Sequence, residues 1–303
     1  MRRYALLAGA QAAVGAAAIF ARYALHDAKP LAVSAARLSI AALVLLIIAL
    51  VRRERAGAPV SRRTTWHLVF AGLFLAAHFA TWIASLDYTS VALSTLLVAT
   101  TPIWTSLYDA IAKRRAPAPG VFVALGLGGA GLGLVVGLGG APAPLPGHGV
   151  LGAVLALTGA FAMAAYFVLV ERVRHVISTR GIVTRTYGVG ALALVLATTA
   201  AHQGLPPLGD YAAWAGIAGM ALVSQLLGHT ALNSALRFFS ASTVAFSSLF
   251  EPVIAAILAF FLFREALPPW SLAGAALIFA AIAIAIRNDR RGNLQGDRKP
   301  SPS

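Results

Sequence analysis

Residues 240–286 read SASTVAFSSLFEPVIAAILAFFLFREALPPWSLAGAALIFAAIAIAI, and this stretch decides the fold class. Two apolar runs are joined by residues 263–269, and Glu251-Pro252 lies about half-way along the first run. Each run is long enough to cross a bilayer, whose core of about 30 Å needs roughly 20 apolar residues. A carboxylate and a proline in such a run are costly, because a charge is buried and a backbone carbonyl loses its partner. The pair therefore predicts the wall of a polar site within a membrane protein.

The composition of the whole chain agrees with a membrane protein. Of 303 residues, 59% are hydrophobic and only 11% are charged, and the mean hydropathy is +0.80. This leaves too little polar surface to cover soluble domains. The lack of cysteine excludes disulfides and thiolate metal sites. Although the net charge is +14, Lys and Arg cluster between apolar runs, so we predict no nucleic-acid partner.

A 20-residue apolar window predicts ten membrane spans. They cover residues 4–24, 30–51, 67–86, 91–112, 120–139, 149–170, 182–201, 212–235, 241–263 and 269–287. The first run follows Met1-Arg2-Arg3 as a secretory signal would, but it is too long for one, so we interpret it as a retained span. The loops are short, which leaves no soluble domain to carry chemistry outside the bilayer.

The distribution of positive charge predicts the orientation. With the N-terminus in the cytoplasm, the inner segments hold 20 of the 24 Lys and Arg, and the outer loops hold Lys29 and Arg264. Short cytoplasmic loops are enriched in these residues, so we predict that both termini are cytoplasmic.

The fourth and ninth spans are similar to each other. At an offset of 150 residues, Pro102 aligns with Pro252 and Arg114 with Arg264. Because each half contains an odd number of spans, the second half would enter the membrane from the opposite side, and such inverted pairs enclose a site near mid-membrane.

We therefore predict an all-α integral membrane protein of ten transmembrane helices, arranged as two inverted-topology five-helix repeats. The repeats would cover residues 1–144 and 145–288, and residues 289–303 would form a disordered cytoplasmic tail.

Glu251 and Arg37 are the charged side chains placed deepest in predicted spans. Glu251 could face a water-filled cavity, take up a proton or pair with a cation, or it could be a neutral group bonded to the backbone freed by Pro252. Arg37 could meet Glu251, grip a substrate carboxylate through two hydrogen bonds, or form a static ion pair between helices.

Other polar side chains are candidates for the same site. His78 and His229 lie mid-span at nearly equivalent repeat positions, where an imidazole relays protons, binds a ligand or hydrogen-bonds within the core. No third ligand lies nearby, so we predict no metal. The further candidates for binding a small polar or aromatic solute, or alternatively for helix packing, are Trp82, Tyr166, Gln225, Thr101 and Asn233.

Residues 126–131, GLGGAG, match a dinucleotide-binding fingerprint, but they lie in an apolar run without a preceding strand. Gly129, Gly133 and Gly137 are spaced by four, which predicts a close-packing helix face instead, within one chain or across a homodimer. Carboxylates are few and scattered, so we predict neither an enzyme nor a cofactor.

The last two spans resemble the EamA-type branch of the drug/metabolite transporter superfamily. Members typically show Glu-Pro-Val, then Gly-Glu-x-Leu, then Gly-Ala. This chain has Glu251-Pro252-Val253, then Phe263-Arg264-Glu265-Ala266-Leu267, and then Gly274-Ala275. Arg264 stands where members have Gly. The resemblance covers residues 4–287 and implies a ten-helix basket in an inner membrane, a central cavity, and export of amino acids or related metabolites.

We therefore expect a multi-pass inner-membrane secondary transporter that works by alternating access, with the bilayer and a small-molecule solute as its partners. Pro102 and Pro252 would weaken their helices and permit gating movement. Proton coupling through Glu251 is one option. The alternatives are an uncoupled channel or facilitator for small solutes, and a membrane-embedded enzyme that modifies lipids.

Overall fold

The structure, a computed structural model, describes residues 1–53, 60–89, 91–114, 116–136, 149–264 and 269–296. All regular elements in these ranges are helices. In lipid, a helix satisfies its backbone groups internally, which is why apolar sequences of this kind form helices.

The first half of the chain contains seven of these helices. They are α1 (Arg2–Gly15), α2 (Ala17–Ala24), α3 (Pro30–Val51), α4 (Arg62–Ser85), α5 (Val91–Val98), α6 (Thr101–Lys113) and α7 (Pro119–Val136).

The second half contains seven more. They are α8 (Gly149–Val173), α9 (Thr179–Ala200), α10 (Tyr211–Gly219), α11 (Thr230–Ala235), α12 (Ala241–Ser247), α13 (Glu251–Phe263) and α14 (Ser271–Gly296). A π-helical segment, Met220–His229, joins α10 to α11, and a 3₁₀ turn, Ser248–Phe250, joins α12 to α13.

Within the described ranges, eight helical stretches are long and apolar enough to cross a membrane. Each coincides with a predicted span. The other two predicted spans, 91–112 and 120–139, are also helical, but the first is divided into α5 and α6, and α7 is shorter than the rest. The multi-span prediction is therefore confirmed in its coarse form.

The fourth and ninth predicted spans are interrupted at matching places. Both α6 and α13 have 13 residues, both have a proline in the first turn, and both end in a left-handed residue, Arg114 (φ 49°) and Arg264 (φ 56°). Proline is tolerated in the first helical turn because no intrahelical bond needs its N–H there. Pro102 and Pro252 thus mark the start of a new helix within each span.

Serine and aspartate side chains define where several helices begin. Ser61, Ser178 and Ser240 accept hydrogen bonds of 3.2 Å from backbone N–H groups in the first turns of α4, α9 and α12. Asp210 does the same for Ala213 in α10, at 3.0 Å. These caps satisfy backbone donors that a helix leaves free at its start.

On α3, alanines share the buried face of the helix with Leu38, whereas larger apolar side chains cover the exposed face. On α3, Ala32, Ala35 and Ala41 are buried, whereas Leu46 and Leu50 are exposed. Close packing of small side chains drives helix association in lipid, where exposed large apolar groups carry no penalty. This arrangement is typical of a membrane protein.

Corresponding helices of the two halves pack together: α3 on α9, and α7 on α14. Where α7 and α14 cross, a Cβ on Gly131 would lie 2.6 Å from the Gly274 carbonyl oxygen, and the converse distance is also 2.6 Å. The backbones touch at this point because neither residue has a side chain.

Within this single chain Gly129 makes no close helix contact, because a Cβ there would find nothing within 4 Å. Gly128 and Gly131 make the close contacts instead, because that side of the helix faces Leu249 and α14.

At the other end of the chain, α14 continues to Gly296, past the predicted last span. The predicted boundary between the halves (144/145), Gly137, residues 265–267 of the motif, and residues 297–303 of the tail lie outside the described residues.

Candidate functional site

A cavity of about 50 Å³ lies between the two halves of the chain. Its wall is formed by α1 to α5 on one side, and by α8, α11, α13 and the end of the π-helical segment on the other. This volume is enough for several water molecules. Six of the predicted site residues line it: Arg37, His78, Trp82, His229, Glu251 and Pro252.

Glu251 is the first residue of α13 and is only partly buried, so its side chain contributes to the cavity surface. The interruption of the span places this carboxylate at a helix N-terminus, where the peptide dipoles favour negative charge. The carboxylate residue therefore forms part of the wall of the cavity between the two halves.

Gln11, on α1, is a site residue that the sequence reasoning missed. It is buried, with 1% of its surface exposed. Its Nε2 donates to Glu251 Oε1 at 3.0 Å, and its Oε1 accepts from Ser247 Oγ at 2.6 Å and from the Ser248 backbone N–H at 3.2 Å. The signal was available, because Gln11 is a lone amide in an apolar run, as Glu251 is a lone carboxylate.

The close approach of α1 to α13 depends on Gly15. A Cβ there would lie 2.7 Å from Ile254 Cβ and 3.1 Å from the Glu251 carbonyl oxygen. Because no side chain separates the two helices, the first helix of the chain forms part of the support of Glu251.

Arg37, on α3, is completely buried. Its Nε donates to Gln225 Oε1 at 3.2 Å, and its Cζ lies 3.9 Å from the centre of the Phe79 ring. The ring face partly compensates the loss of water around the cation. Arg37 is thus held by an amide and an aromatic ring.

An aromatic cluster extends from Arg37 along α4. His78 stacks on Trp82 with ring centres 5.9 Å apart, and Phe79 meets His229 edge to face at 5.3 Å. The His78 Nδ1 bonds the Gly159 carbonyl oxygen at 2.9 Å, which orients the ring against α8. Both histidines are buried and line the cavity. Phe79 was not among the predicted residues.

Three further predicted residues, Tyr166, Thr101 and Asn233, lie behind the cavity wall. Tyr166 Oη donates to Asn233 Oδ1 at 2.8 Å, and Asn233 Nδ2 donates to the His229 carbonyl oxygen at 2.7 Å. Thr101 Oγ1 donates to the Val98 carbonyl oxygen at 2.8 Å, at the break in which Pro102 lies buried. Their hydrogen bonds connect neighbouring helices. Helix packing is the alternative to solute binding that the sequence offers for these residues.

The π-helical segment carries Gln225 and His229 into the site. A π-helix widens the backbone and often occurs at functional positions. Tyr187 Oη and Thr230 Oγ1 both donate to the Gln225 carbonyl oxygen, at 3.3 and 3.4 Å. These hydroxyls stabilise the irregular backbone next to Arg37.

No group of three or more His, Asp or Glu that could hold a metal ion occurs in the parts of the chain that the structure describes. The histidines of the site are engaged with aromatic rings and a carbonyl oxygen.

Comparison with known proteins adds two findings. The sequence profile described as the EamA-like transporter family matches residues 1–137 and 150–287, one match in each half. A crystal structure described only as that of a protein aligns over 96% of this chain and 98% of its own, with a TM-score of 0.76 and 18% identity. At that identity the similarity shows a shared fold. Among curated proteins, none matches this chain.

Proposed function

Because the chain belongs to the EamA-like transporter family, we propose that it is a secondary transporter that exports amino acids or related small metabolites by alternating access. Its multi-pass membrane character follows from the family and from the apolar helices.

The observation that carries this proposal is the position of Glu251. It is a partly buried carboxylate in the wall of a small cavity, and that wall contains residues from both halves of the chain. An ionisable group within a membrane span is a functional-site candidate when it faces such a cavity. Carriers that alternate between two openings bind solute at this kind of interface.

We propose that the two halves, 1–144 and 145–288, are inverted five-helix repeats. The matching breaks before α6 and α13 support this, as does the packing of α3 on α9 and of α7 on α14. The positive charge of the predicted inner segments supports cytoplasmic termini, and the family resemblance supports a cell inner membrane.

Pro102 and Pro252 are proposed as gating positions. Each begins the second helix of an interrupted span, and Pro252 also lines the cavity. A helix that is already interrupted can bend there without breaking further backbone bonds, so movement near the site requires little rearrangement.

Glu251 is proposed as the proton-coupling residue. The carboxylate accepts a hydrogen bond from Gln11 Nε2 at 3.0 Å and also lines the cavity. An ionisable group placed in this way within a span can exchange a proton through the cavity.

The test uses purified protein in proteoliposomes. Radiolabelled amino acids, sugars and nucleosides are screened for uptake driven by an imposed pH gradient, and the best solute is then measured with the Glu251→Gln variant. We expect its flux to fall to the level of protein-free vesicles, since a neutral amide cannot exchange a proton.

The control is Glu171→Gln, which removes a carboxylate that pairs with Arg174 at 2.7 Å near the end of α8. This variant should keep most of its flux. Undiminished flux with Glu251→Gln would remove Glu251 from the mechanism. Wild-type flux that ignores the pH gradient would indicate an uncoupled facilitator.

A further inference from the structure

The terminal nitrogens of Arg37 are among the buried polar atoms that have no hydrogen-bond partner within the described residues. Arg37 has 0% of its surface exposed, yet neither Nη1 nor Nη2 has a hydrogen-bond partner among the described residues. A buried donor without an acceptor costs about 1–3 kcal/mol, and more when it is charged. A side chain under this penalty at a cavity wall indicates a ligand that accepts hydrogen bonds.

The contacts that Arg37 makes fix the orientation of its guanidinium group, and with it the direction of the unpartnered Nη1 and Nη2 atoms. Gln225 Oε1 takes the Nε–H, and the Phe79 ring covers one face of the guanidinium. These two contacts hold the group in one plane and leave the Nη1 and Nη2 hydrogens available. The guanidinium is thus prepared for a ligand and has little rotamer freedom left to lose on binding.

Gln225 adds a further donor beside this edge. Its Oε1 is occupied by Arg37, so its Nε2 points elsewhere, and it too has no partner in the described chain. The π-helical backbone that carries Gln225 is stabilised independently by Tyr187 and Thr230. The cluster therefore offers one positive charge and three unpaired donor atoms.

We propose that Arg37 is the binding site for a carboxylate group of the transported solute, with the Gln225 amide as a neighbouring donor. This inference rests on the proposed transport function and names the chemical class of its solute. A carboxylate has two oxygens in the plane that a guanidinium fork requires, so two parallel hydrogen bonds form and the buried charge is neutralised. Glu251, on another part of the wall, remains free for the proton.

The test compares acids with their amides. Purified full-length protein in detergent is heated with L-leucine, L-threonine or L-phenylalanine, and with leucinamide, threoninamide or phenylalaninamide, and the shift of the melting temperature gives the affinity. At least one acid should stabilise the wild-type protein and bind about tenfold or more tightly than its amide, since charged hydrogen bonds are lost in the amide.

Arg37→Gln should remove this preference, so that acid and amide bind alike, and Arg37→Lys should restore only part of it because an ammonium has no fork. Arg22→Gln is the matched control. Arg22 lies exposed with its Cζ 4.1 Å from the centre of the Phe263 ring, and its loss should leave the preference for the acid unchanged.

The proposal is overturned if no acid stabilises the wild-type protein, if an amide binds as well as its acid, or if Arg37→Gln retains the discrimination. The wild-type comparison stands even if the variants fold poorly. Stabilisation by chloride alone that depends on Arg37, with acid and amide bound alike, would assign an inorganic anion instead. Proton-driven flux of a solute without a carboxylate, unaffected by Arg37→Gln, would refute this inference while leaving the transport function intact.

Discussion

Gln11 connects the first helix of the chain to the carboxylate of the site. Its buried amide donates to Glu251 Oε1 at 3.0 Å and accepts from Ser247 Oγ at 2.6 Å. A hydrogen bond to a charged group contributes about 1.5–3 kcal/mol, so this contact is large enough to influence the state of Glu251. The residue therefore belongs to the site although it lies behind the wall.

Replacing Gln11 by Met should slow pH-driven transport about tenfold or more, because the carboxylate loses its amide donor while the helix keeps its volume. The measurement is initial uptake into proteoliposomes at equal protein content. Gly9→Ala is the control on the same helix, since a Cβ there meets nothing within 4 Å. Equal rates for Gln11→Met and the wild-type protein would reduce Gln11 to a packing residue.

At the scale of helices, the interrupted spans and the glycine crossing determine the arrangement. α6 and α13 begin at a proline beside the site, whereas α7 and α14 meet through Gly131 and Gly274 at 2.6 Å. Where no side chain separates two backbones, an added methyl group forces the helices apart.

Gly131→Ala should destabilise the protein by about 1–3 kcal/mol, the usual cost of overpacking. Gly129→Ala is the matched control on the same helix, where space is open and alanine is the better helix former, so stability should stay equal or rise by up to about 1 kcal/mol. Thermal unfolding in detergent measures both variants. If the two alanine variants melt alike, the contact between α7 and α14 is not the one described.

At the scale of the molecule, the proposed inversion makes equivalent residues face opposite sides. Arg53 and His202 each follow a 22-residue helix, α3 and α9, and each has a left-handed backbone with φ of 49° and 51°. If the halves are inverted, these two helix ends lie in different compartments despite their equivalent places in the repeat.

Single cysteines test this directly, because the natural chain has none. In intact cells, a membrane-impermeant maleimide should label His202→Cys, whereas Arg53→Cys should react only after the membrane is opened. His26→Cys and His175→Cys serve as further markers for the outer and inner sides. Labelling of both Arg53→Cys and His202→Cys from the same side would contradict inverted repeats.

The amino-acid sequence by itself determined the membrane class, the positions of most spans and the family resemblance. Runs of apolar residues must become helices in lipid, and their length is set by bilayer thickness, so these properties are local. The same reasoning singled out Glu251 and Arg37, since a charge in such a run is expensive wherever the chain folds.

Only the tertiary structure decided which polar side chains share a cavity and which connect helices. Arg37 and Glu251 line the same cavity although they are more than 200 positions apart, and Gln11 bonds Glu251 from behind its wall. Tyr166 bonds Asn233, likewise behind the wall. It also assigned the glycine contact to Gly131 instead of Gly129. The physical reason is that the face a helix presents to its neighbours depends on how all helices pack together, which no single apolar run encodes.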